Sequence, residues 1–302
     1  MKLSIIKNRK YFYLISGSLL LISILSLIAW GLKLGIDFTG GSLLEMEFSK
    51  QRPTINEIKS TLTPLNLGEL VIQTAGEKNI IIKSRVLNEE EHQKIIETIK
   101  KNLKDNNQLS EIRFDAIGPV IGKELLKKSL WMLLLAFLAI IAYIAYAFRK
   151  VSKPLASWKY GVTAIVALFH DVLIVTGVFS LLGYFRGIEV DSLFITALLT
   201  IIGFSVHDTI VVFDRTRENL SKFYSGKFEE VVNDSINQTI ARSINTSFTT
   251  LLVLLALLFF GGDSIKNFVL ALTLGIIVGT YSSIFVASPL IVDWNNFSKK
   301  IK

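Results

Sequence analysis

Residues 11–31 read YFYLISGSLLLISILSLIAWG, an apolar stretch that holds no acidic or basic side chain. Its length matches the roughly 20 residues that an α-helix needs to cross the hydrocarbon core of a bilayer. Basic residues crowd the first ten positions, as they do in a signal sequence. A cleaved signal peptide has a shorter apolar core and a small-residue cleavage site, which Ala29-Trp30-Gly31 matches poorly. We therefore expect an uncleaved first membrane span.

The rest of the chain repeats this pattern. Hydrophobic residues make up 51% of the sequence and charged residues 19%, whereas soluble domains average roughly 25% charged residues. The sequence predicts a polytopic α-helical membrane protein with six transmembrane helices. A polar segment at 32–128 separates the first helix from a five-helix bundle at 129–293, and residues 1–10 and 294–302 form the two ends. The five later apolar blocks lie at about 130–148, 160–182, 190–213, 244–260 and 268–292.

The net charge of +8 is informative through its placement. Lys and Arg gather beside the apolar blocks, which is typical of topology signals and not of a basic nucleic-acid-binding face. With the N-terminus inside, the two short outer loops carry only Arg186 and Lys266. We therefore expect cytoplasmic N- and C-termini and no nucleic-acid partner. The chain has no cysteine, which excludes disulfides, thiolate metal sites and cysteine nucleophiles.

The segment at 32–128 has the pattern of a small α+β domain. In Ser42–Phe48, apolar and acidic residues alternate, as in a half-buried strand. Two capping boxes open helices, one at Thr54–Glu57 and one at Asn88–Glu91. The hairpin-like runs 70–74 and 80–83 lie between those helices, and 111–117 alternates again. This order of strand, helix, strand, strand, helix, strand predicts a ferredoxin-like, split βαβ arrangement.

Within this domain, Ile112, Phe114 and Ala116 are expected on one face of the last strand. His92 is expected to be a solvated residue on a charged helix. No metal cluster, nucleophile arrangement or phosphate loop is apparent in the sequence. We therefore expect a binding or gating domain, no enzymatic activity and no cofactor.

Ionisable residues inside membrane spans usually mark ion pathways or paired sites. The third block carries His170 and Asp171, and the fourth carries His207 and Asp208, with Asp214 at its boundary. For each, a structural role through hydrogen bonding is the alternative. Paired aspartates also occur in aspartyl proteases, and His-Asp pairs in metal sites, but the different expected depths and the few histidines argue against both.

The fifth block opens with polar residues at a spacing of three to four, which places them on one helix face. Arg242 in this stripe either faces other helices or snorkels to the interface. In the sixth block, Gly275 and Gly279 form a small-xxx-small pattern suited to close helix packing. The stripe consists of Gln238, Arg242, Asn245 or Thr246, and Thr249.

Three motifs resemble the SecD/SecF family of bacterial protein-export subunits, with SecF the closer fit. GIDFTGG at 35–41 resembles the signature after the first span, and its residues are Gly35, Asp37, Phe38, Gly40 and Gly41. GFSVHDTIVVFDR at 203–215 resembles the fourth-span motif of SecF, which ends here in Asp214 and Arg215. Residues 238–249 resemble the start of its fifth span. The resemblance covers nearly the whole chain and implies half of a transporter of the RND superfamily type.

The resemblance implies a translocase subunit in a bacterial cytoplasmic (inner) membrane. SecD and the SecYEG channel are the implied partners, with YajC, a YidC-type insertase, emerging exported polypeptide and protons as further ones. The family's membrane aspartate and arginine fall on Asp208 and Arg242. His207 departs from the family, which usually has Asn there; an imidazole titrates and an amide does not. His207 is therefore expected either to take part in proton transfer with Asp208 or to serve as a neutral substitute that keeps a hydrogen bond. Since the sequence ends soon after the sixth span, we expect SecD to be a separate chain.

The resulting hypothesis is that Asp208 carries protons and Arg242 modulates its charge state, so that the proton motive force promotes late steps of export. Asp171, His170, Asp214, Arg215, Asn245, Thr246 and Thr249 are expected to support this site. Two alternatives are a structural subunit that conducts no protons and an RND-like, proton-driven exporter.

Overall fold

The computed structural model describes residues 3–103, 107–147, 156–222 and 227–300, which form two compact units. One unit comprises residues 1–33 and 131–302, and the other comprises residues 34–130. Within the described residues, six helices are long and apolar enough to cross a membrane. This confirms the predicted fold class of a six-span protein.

The six spans have the following bounds. The first is α1, Arg9–Trp30, and the second is α5, Pro119–Ala147. The third is α6, Ser157–Arg186, and the fourth is α7, Ser192–Lys222. The fifth is α8, Phe228–Phe260. The sixth is built from α9, Lys266–Ser282, a π-helical segment, Ser283–Ala287, and α10, Ser288–Lys300.

Close helix packing joins α1 to α6 and α7 to α9. A Cβ atom added to Gly177 of α6 would lie 2.5 Å from the Cα of Ser23 on α1. A Cβ at Gly275 of α9 would lie 2.2 Å from the side chain of Ile201 on α7. These contacts explain the small residues, since membrane helices associate through close backbone approach.

The polar unit begins with a short helix, α2, Ile36–Thr39, and contains a four-stranded antiparallel sheet in the order β2-β3-β1-β4. Helices α3, Ile55–Leu62, and α4, Glu89–Asn102, connect the strands. Leu44, Met46 and Phe48 are fully buried, as their alternation predicts. The strands are β1, Gly41–Phe48, β2, Val71–Ala75, β3, Asn79–Ser84, and β4, Leu109–Ile117.

Both predicted capping boxes are present. The Thr54 hydroxyl accepts from the Glu57 N–H, and the Asn88 side chain accepts from the Glu91 N–H at 2.8 Å. Hydrogen bonding to Arg85, together with the Asn88 backbone N–H, lowers the pKa of the Glu91 carboxyl. The two helices therefore begin where the sequence places their starts.

The prediction for the face of β4 is wrong at Ile112. Arg113 pairs with Glu45 and Glu111 pairs with Met46, so Ile112 is the extra residue of a β-bulge. A bulge reverses the alternation beyond it. Ile112 is 48% exposed, and Glu111 shares the inner face with Phe114.

The prediction of a solvated His92 is also wrong. The residue is 4% exposed, and its ring stacks on Phe114 with ring centroids 3.8 Å apart. Its Nδ1 lies 3.3 Å from Glu89 Oε1, and its Nε2 lies 3.2 Å from Glu111 Oε2. The residue therefore joins α4 to β4 through ring stacking on Phe114 and its approach to the Glu111 carboxylate.

Candidate functional site

Asp208 lies where α7, α8 and α9 meet. The residue is 3% exposed and is beside the hydroxyls of Ser243 on α8 and Thr280 on α9. Thr280 Oγ1 also lies 2.5 Å from Ser247 Oγ of α8. Nevertheless, Asp208 Oδ2 and Ser243 Oγ are buried without a well-formed hydrogen bond to any described residue. The carboxylate therefore sits in a small hydroxyl-lined site with unused hydrogen-bonding capacity.

The neighbouring polar residues lie on the outside of the bundle. His207 is exposed on α7, and the predicted stripe on α8 is exposed as well. Within the described residues, no ion pair or hydrogen bond reaches the Arg242 guanidinium, so the structure does not pair it with Asp208. We call this surface the exposed polar face; it consists of His207, Arg242, Asn245, Thr246 and Thr249.

A second polar cluster surrounds Asp171 on α6, which has no exposed surface. Its Oδ1 lies 2.9 Å from His170 Nδ1. Its Oδ2 lies 2.5 Å from Ser205 Oγ of α7 and 2.7 Å from Ser282 Oγ of α9. A Cβ at Gly279 would lie 3.1 Å from the Ser205 Cβ, which shows how closely α9 approaches this cluster. The cluster joins three spans.

Beyond Asp208, polar contacts join α7 to α8. Arg215 Nη1 donates to Glu218 at 2.5 Å, and its Nε donates to Gln238 of α8. Asn219 also donates to Gln238, at 3.0 Å. Asp214 is exposed and pairs with Arg217 at 3.6 Å. Arg215 therefore links the two helices, whereas Asp214 lies apart from Asp208.

The signature loop at 35–41 requires glycine at its end. Gly40 and Gly41 have φ of +78° and +140°, which L side chains rarely adopt. A Cβ at Gly40 would also lie 2.7 Å from the Cα of Pro119. Phe38 is 3% exposed. The loop therefore has a structural part in the polar unit, where it leads into β1.

The sequence profile of the family "Protein export membrane protein SecD/SecF, C-terminal" matches residues 95–297, and that of the "SecD/SecF GG Motif" matches residues 26–51. The protein translocase subunit SecF of Thermobaculum terrenum is 44% identical over 97% of this chain and 94% of its own length. The chain belongs to the SecF family. The SecF subunits of Anaerolinea thermophila and Rhodothermus marinus are 40% and 42% identical, respectively.

Solved structures also resemble this SecF-family chain. The crystal structure of SecDF from Thermus thermophilus, a translocon-associated membrane protein, superposes with a TM-score of 0.83 at 34% identity. The match covers 98% of this chain and 39% of SecDF. SecDF in a super-membrane-facing form gives a TM-score of 0.69 at 35% identity, over 40% of that chain. The SecF-family chain thus spans about two fifths of the SecDF protein.

Sequence reasoning missed the hydroxyl groups that surround both aspartates. Serine and threonine in membrane helices commonly bond to the carbonyl one turn earlier. Ser247 and Thr280 each do so here. The presence of serine or threonine in a span of a SecF-family chain therefore does not by itself indicate a nearby buried carboxylate.

Proposed function

We propose that this chain works with a SecD subunit and uses the proton motive force to promote late steps of protein export through SecYEG. The family of translocase subunits supports the role in export. The observation that carries the proton-coupled part is the buried carboxylate of Asp208, which has an unpartnered oxygen among the described residues. No enzymatic reaction and no cofactor form part of the proposal.

A buried carboxylate without full hydrogen bonding is costly while it is charged. Binding a proton removes that cost, and rotation of the Ser243 or Thr280 hydroxyl toward Asp208 reduces it when the proton leaves. The hydroxyls therefore offer the charged form an alternative to protonation. Such a site can exchange protons when its surroundings change.

The exposed polar face supports a partner within the membrane. Arg242 lies just before the apolar block at 244–260, so exposure to lipid costs it less than the roughly 2.5–3.5 kcal/mol of an arginine at the centre of a span, because its side chain can reach the interface. Asn245, Thr246 and Thr249 would add polar groups to the same lipid-facing surface. We propose that the spans of SecD cover this face. Arg242 directly precedes Ser243, so a change at the interface can bring its guanidinium toward Asp208 and alter the charge balance there.

The proposed cycle has two arrangements of the spans, which proton binding at Asp208 biases in turn. One charge that crosses 100 mV provides about 2.3 kcal/mol. His207, next to Asp208 in the chain, tunes this proton exchange. The polar unit holds or releases the exported polypeptide on the outer side of a bacterial inner membrane, with both chain termini cytoplasmic. YajC and a YidC-type insertase are further partners in this proposal.

The experiment compares Asp208→Asn with Asp234→Asn, a carboxylate on α8 outside the proposed site. Export driven by the proton motive force and co-purification of SecD are measured in the same cells. We expect Asp208→Asn to abolish the proton-dependent part of export and to retain SecD, while Asp234→Asn behaves as wild type. Loss of SecD together with export would favour a structural subunit. Wild-type export by Asp208→Asn would refute the proton role.

A further inference from the structure

The Asp171 cluster is a second buried ionisable site in the bundle, and the proposed cycle does not use it. Its carboxylate has three potential donors at 2.5–2.9 Å, from His170, Ser205 and Ser282. Three donors of this kind satisfy an ionised carboxylate far from water. The site is therefore more completely hydrogen-bonded than Asp208.

Ser282 gives this site a second hydrogen-bonding arrangement. Its Oγ lies 2.7 Å from Asp171 Oδ2 and 3.1 Å from the Gly279 carbonyl oxygen. A hydroxyl has one hydrogen, so it donates to one of these acceptors at a time. If Asp171 Oδ2 gains a proton, it can donate to Ser282 Oγ while the Ser282 hydrogen turns to Gly279. Both protonation states are then hydrogen-bonded without movement of the backbone.

Few titratable groups of the described residues surround the Asp171–Ser282 hydrogen bond. On α6, His170 faces Asp171 through Nδ1, and its Nε2 is buried without a hydrogen bond to a described residue. On α9, Tyr281 lies with its ring centroid 6.4 Å from that of His170. On α7, Asp208 follows Ser205 by three residues. On α1, Tyr13 donates to Asp293. Among these groups, His170 is the one in direct contact with the Asp171 carboxylate, at 2.9 Å.

The Asp171–Ser282 hydrogen bond also lies at an irregular point of the sixth span. Ser282 ends α9, and the π-helical segment Ser283–Ala287 follows directly. Short π-helical segments often occur at functional sites. Two residues before Ser282, Thr280 contacts Ser247 and lies beside Asp208. A change in the Ser282 hydrogen bond therefore occurs within one helical turn of a group that contacts Asp208.

We propose that Asp171 is a second proton-binding site, coupled to Asp208 through Ser282 and Thr280 of the sixth span. Protonation adds one hydrogen ion, taken from water, to Asp171 Oδ2 and neutralises its charge. The Ser282 hydroxyl then turns from Asp171 to Gly279. Asp171 is a positioning residue that acts on export through the sixth span. This inference rests on the proposed proton-coupled function.

The test is infrared difference spectroscopy of the full chain, reconstituted with SecD in lipid, as pH is varied. A protonated carboxyl gives a C=O stretch that its ionised form lacks, and a residue with a purely structural role does not produce this signal. We expect two buried carboxyl bands that respond to pH. Asp171→Asn removes one and Asp208→Asn removes the other, while Asp263→Asn, an ion-paired residue elsewhere in the chain, removes neither.

A single band that Asp208→Asn removes and Asp171→Asn leaves intact would overturn the second site, while the proposed function would stand. Absence of both bands would contradict both proposals. If Asp171→Asn fails to assemble with SecD, Asp171→Glu replaces it. Isotope labelling of aspartate shifts the carboxyl bands of aspartate and leaves those of glutamate unshifted. In a labelled chain, Asp171→Glu must therefore replace one shifted band by an unshifted one. Two bands that both stay shifted in Asp171→Glu would exclude Asp171 as their source.

Discussion

Gly177→Ala tests whether α1 and α6 pack as closely as the structure shows. The new Cβ would lie 2.2 Å from the Ser23 Cβ and 2.5 Å from its Cα. Since ordinary contact begins at 3.4 Å and the Ser23 Cβ is fixed by the backbone, the two helices must separate by about 1.2 Å (3.4 − 2.2) at this point. The atoms in the way include the Ser23 backbone, which cannot rotate aside. We therefore expect a loss of stability in the upper part of the 1–3 kcal/mol range for overpacking.

The same separation weakens two hydrogen bonds between the helices. Ser26 Oγ donates to the Gly177 carbonyl at 3.0 Å, and Ser180 Oγ donates to the Gly31 carbonyl at the end of α1 at 2.6 Å, with the Ser26 carbonyl as a second acceptor at 3.0 Å. Interhelical hydrogen bonds in membranes average about 0.6 kcal/mol. Together these effects predict a loss of about 2–4 kcal/mol in the free energy of unfolding, which is a factor of about 30 to 1,000 in the unfolding equilibrium.

The assay is reversible unfolding of the full chain in mixed detergent micelles, with Gly17→Ala as the matched control. Gly17 lies on α1 with no other atom within 4 Å of an added Cβ. Alanine there should be neutral or stabilising by up to about 1 kcal/mol, because glycine weakens helix interiors. Equal unfolding free energies for the two variants would refute the packing of α1 against α6.

Three predictions concern the polar unit of the full chain. Gly40→Ala should lower its thermal stability by about 2 kcal/mol or more, through positive φ and the contact with Pro119, whereas Gly118→Ala, which meets no atom within 4 Å, should not. Protection factors of the amides in the first turn of α4, after correction for intrinsic exchange, should fall as pH drops below 4.5, because the lowered pKa of Glu91 makes its stabilisation fully present above that ordinary value and lost as the carboxyl is protonated; Glu91→Gln should reduce this dependence, and Glu89, whose pKa is also lowered, supplies the remainder. His92→Ala should cost about 1–2 kcal/mol in chemical unfolding through the lost stacking on Phe114, and equal stability of His92→Ala and the exposed control Glu90→Ala would contradict that contact.

The sequence predicts those features of the fold that depend on local pattern. The alternation in β1 and the capping residues Thr54 and Asn88 specify elements without help from distant residues. The pattern misleads at Ile112, because a β-bulge is decided by the register against β1. It misleads at His92 because burial depends on Phe114 and Glu111, which lie on a strand formed later in the chain.

The candidate site shows the same division. Asp208 and Asp171 are conspicuous because charges are rare in membrane spans. Their environments come from hydroxyls on other helices, such as Ser243 and Ser282, which no spacing rule connects to them. The direction of Arg242 likewise follows from how α8 rotates against α7 and α9. Helix rotation is a property of the packed bundle, so sequence periodicity alone left it open.

In the proposed function, Asp208 couples proton movement to export. The most direct measurement is proton flux into lipid vesicles that contain this chain with SecD and SecYEG, recorded with a pH-sensitive dye during export of a polypeptide. We predict that Asp208→Asn reduces the export-linked flux to the level of vesicles without the chain, while Asp234→Asn keeps it. Wild-type flux in Asp208→Asn vesicles that still contain SecD would show that Asp208 does not carry the coupled protons.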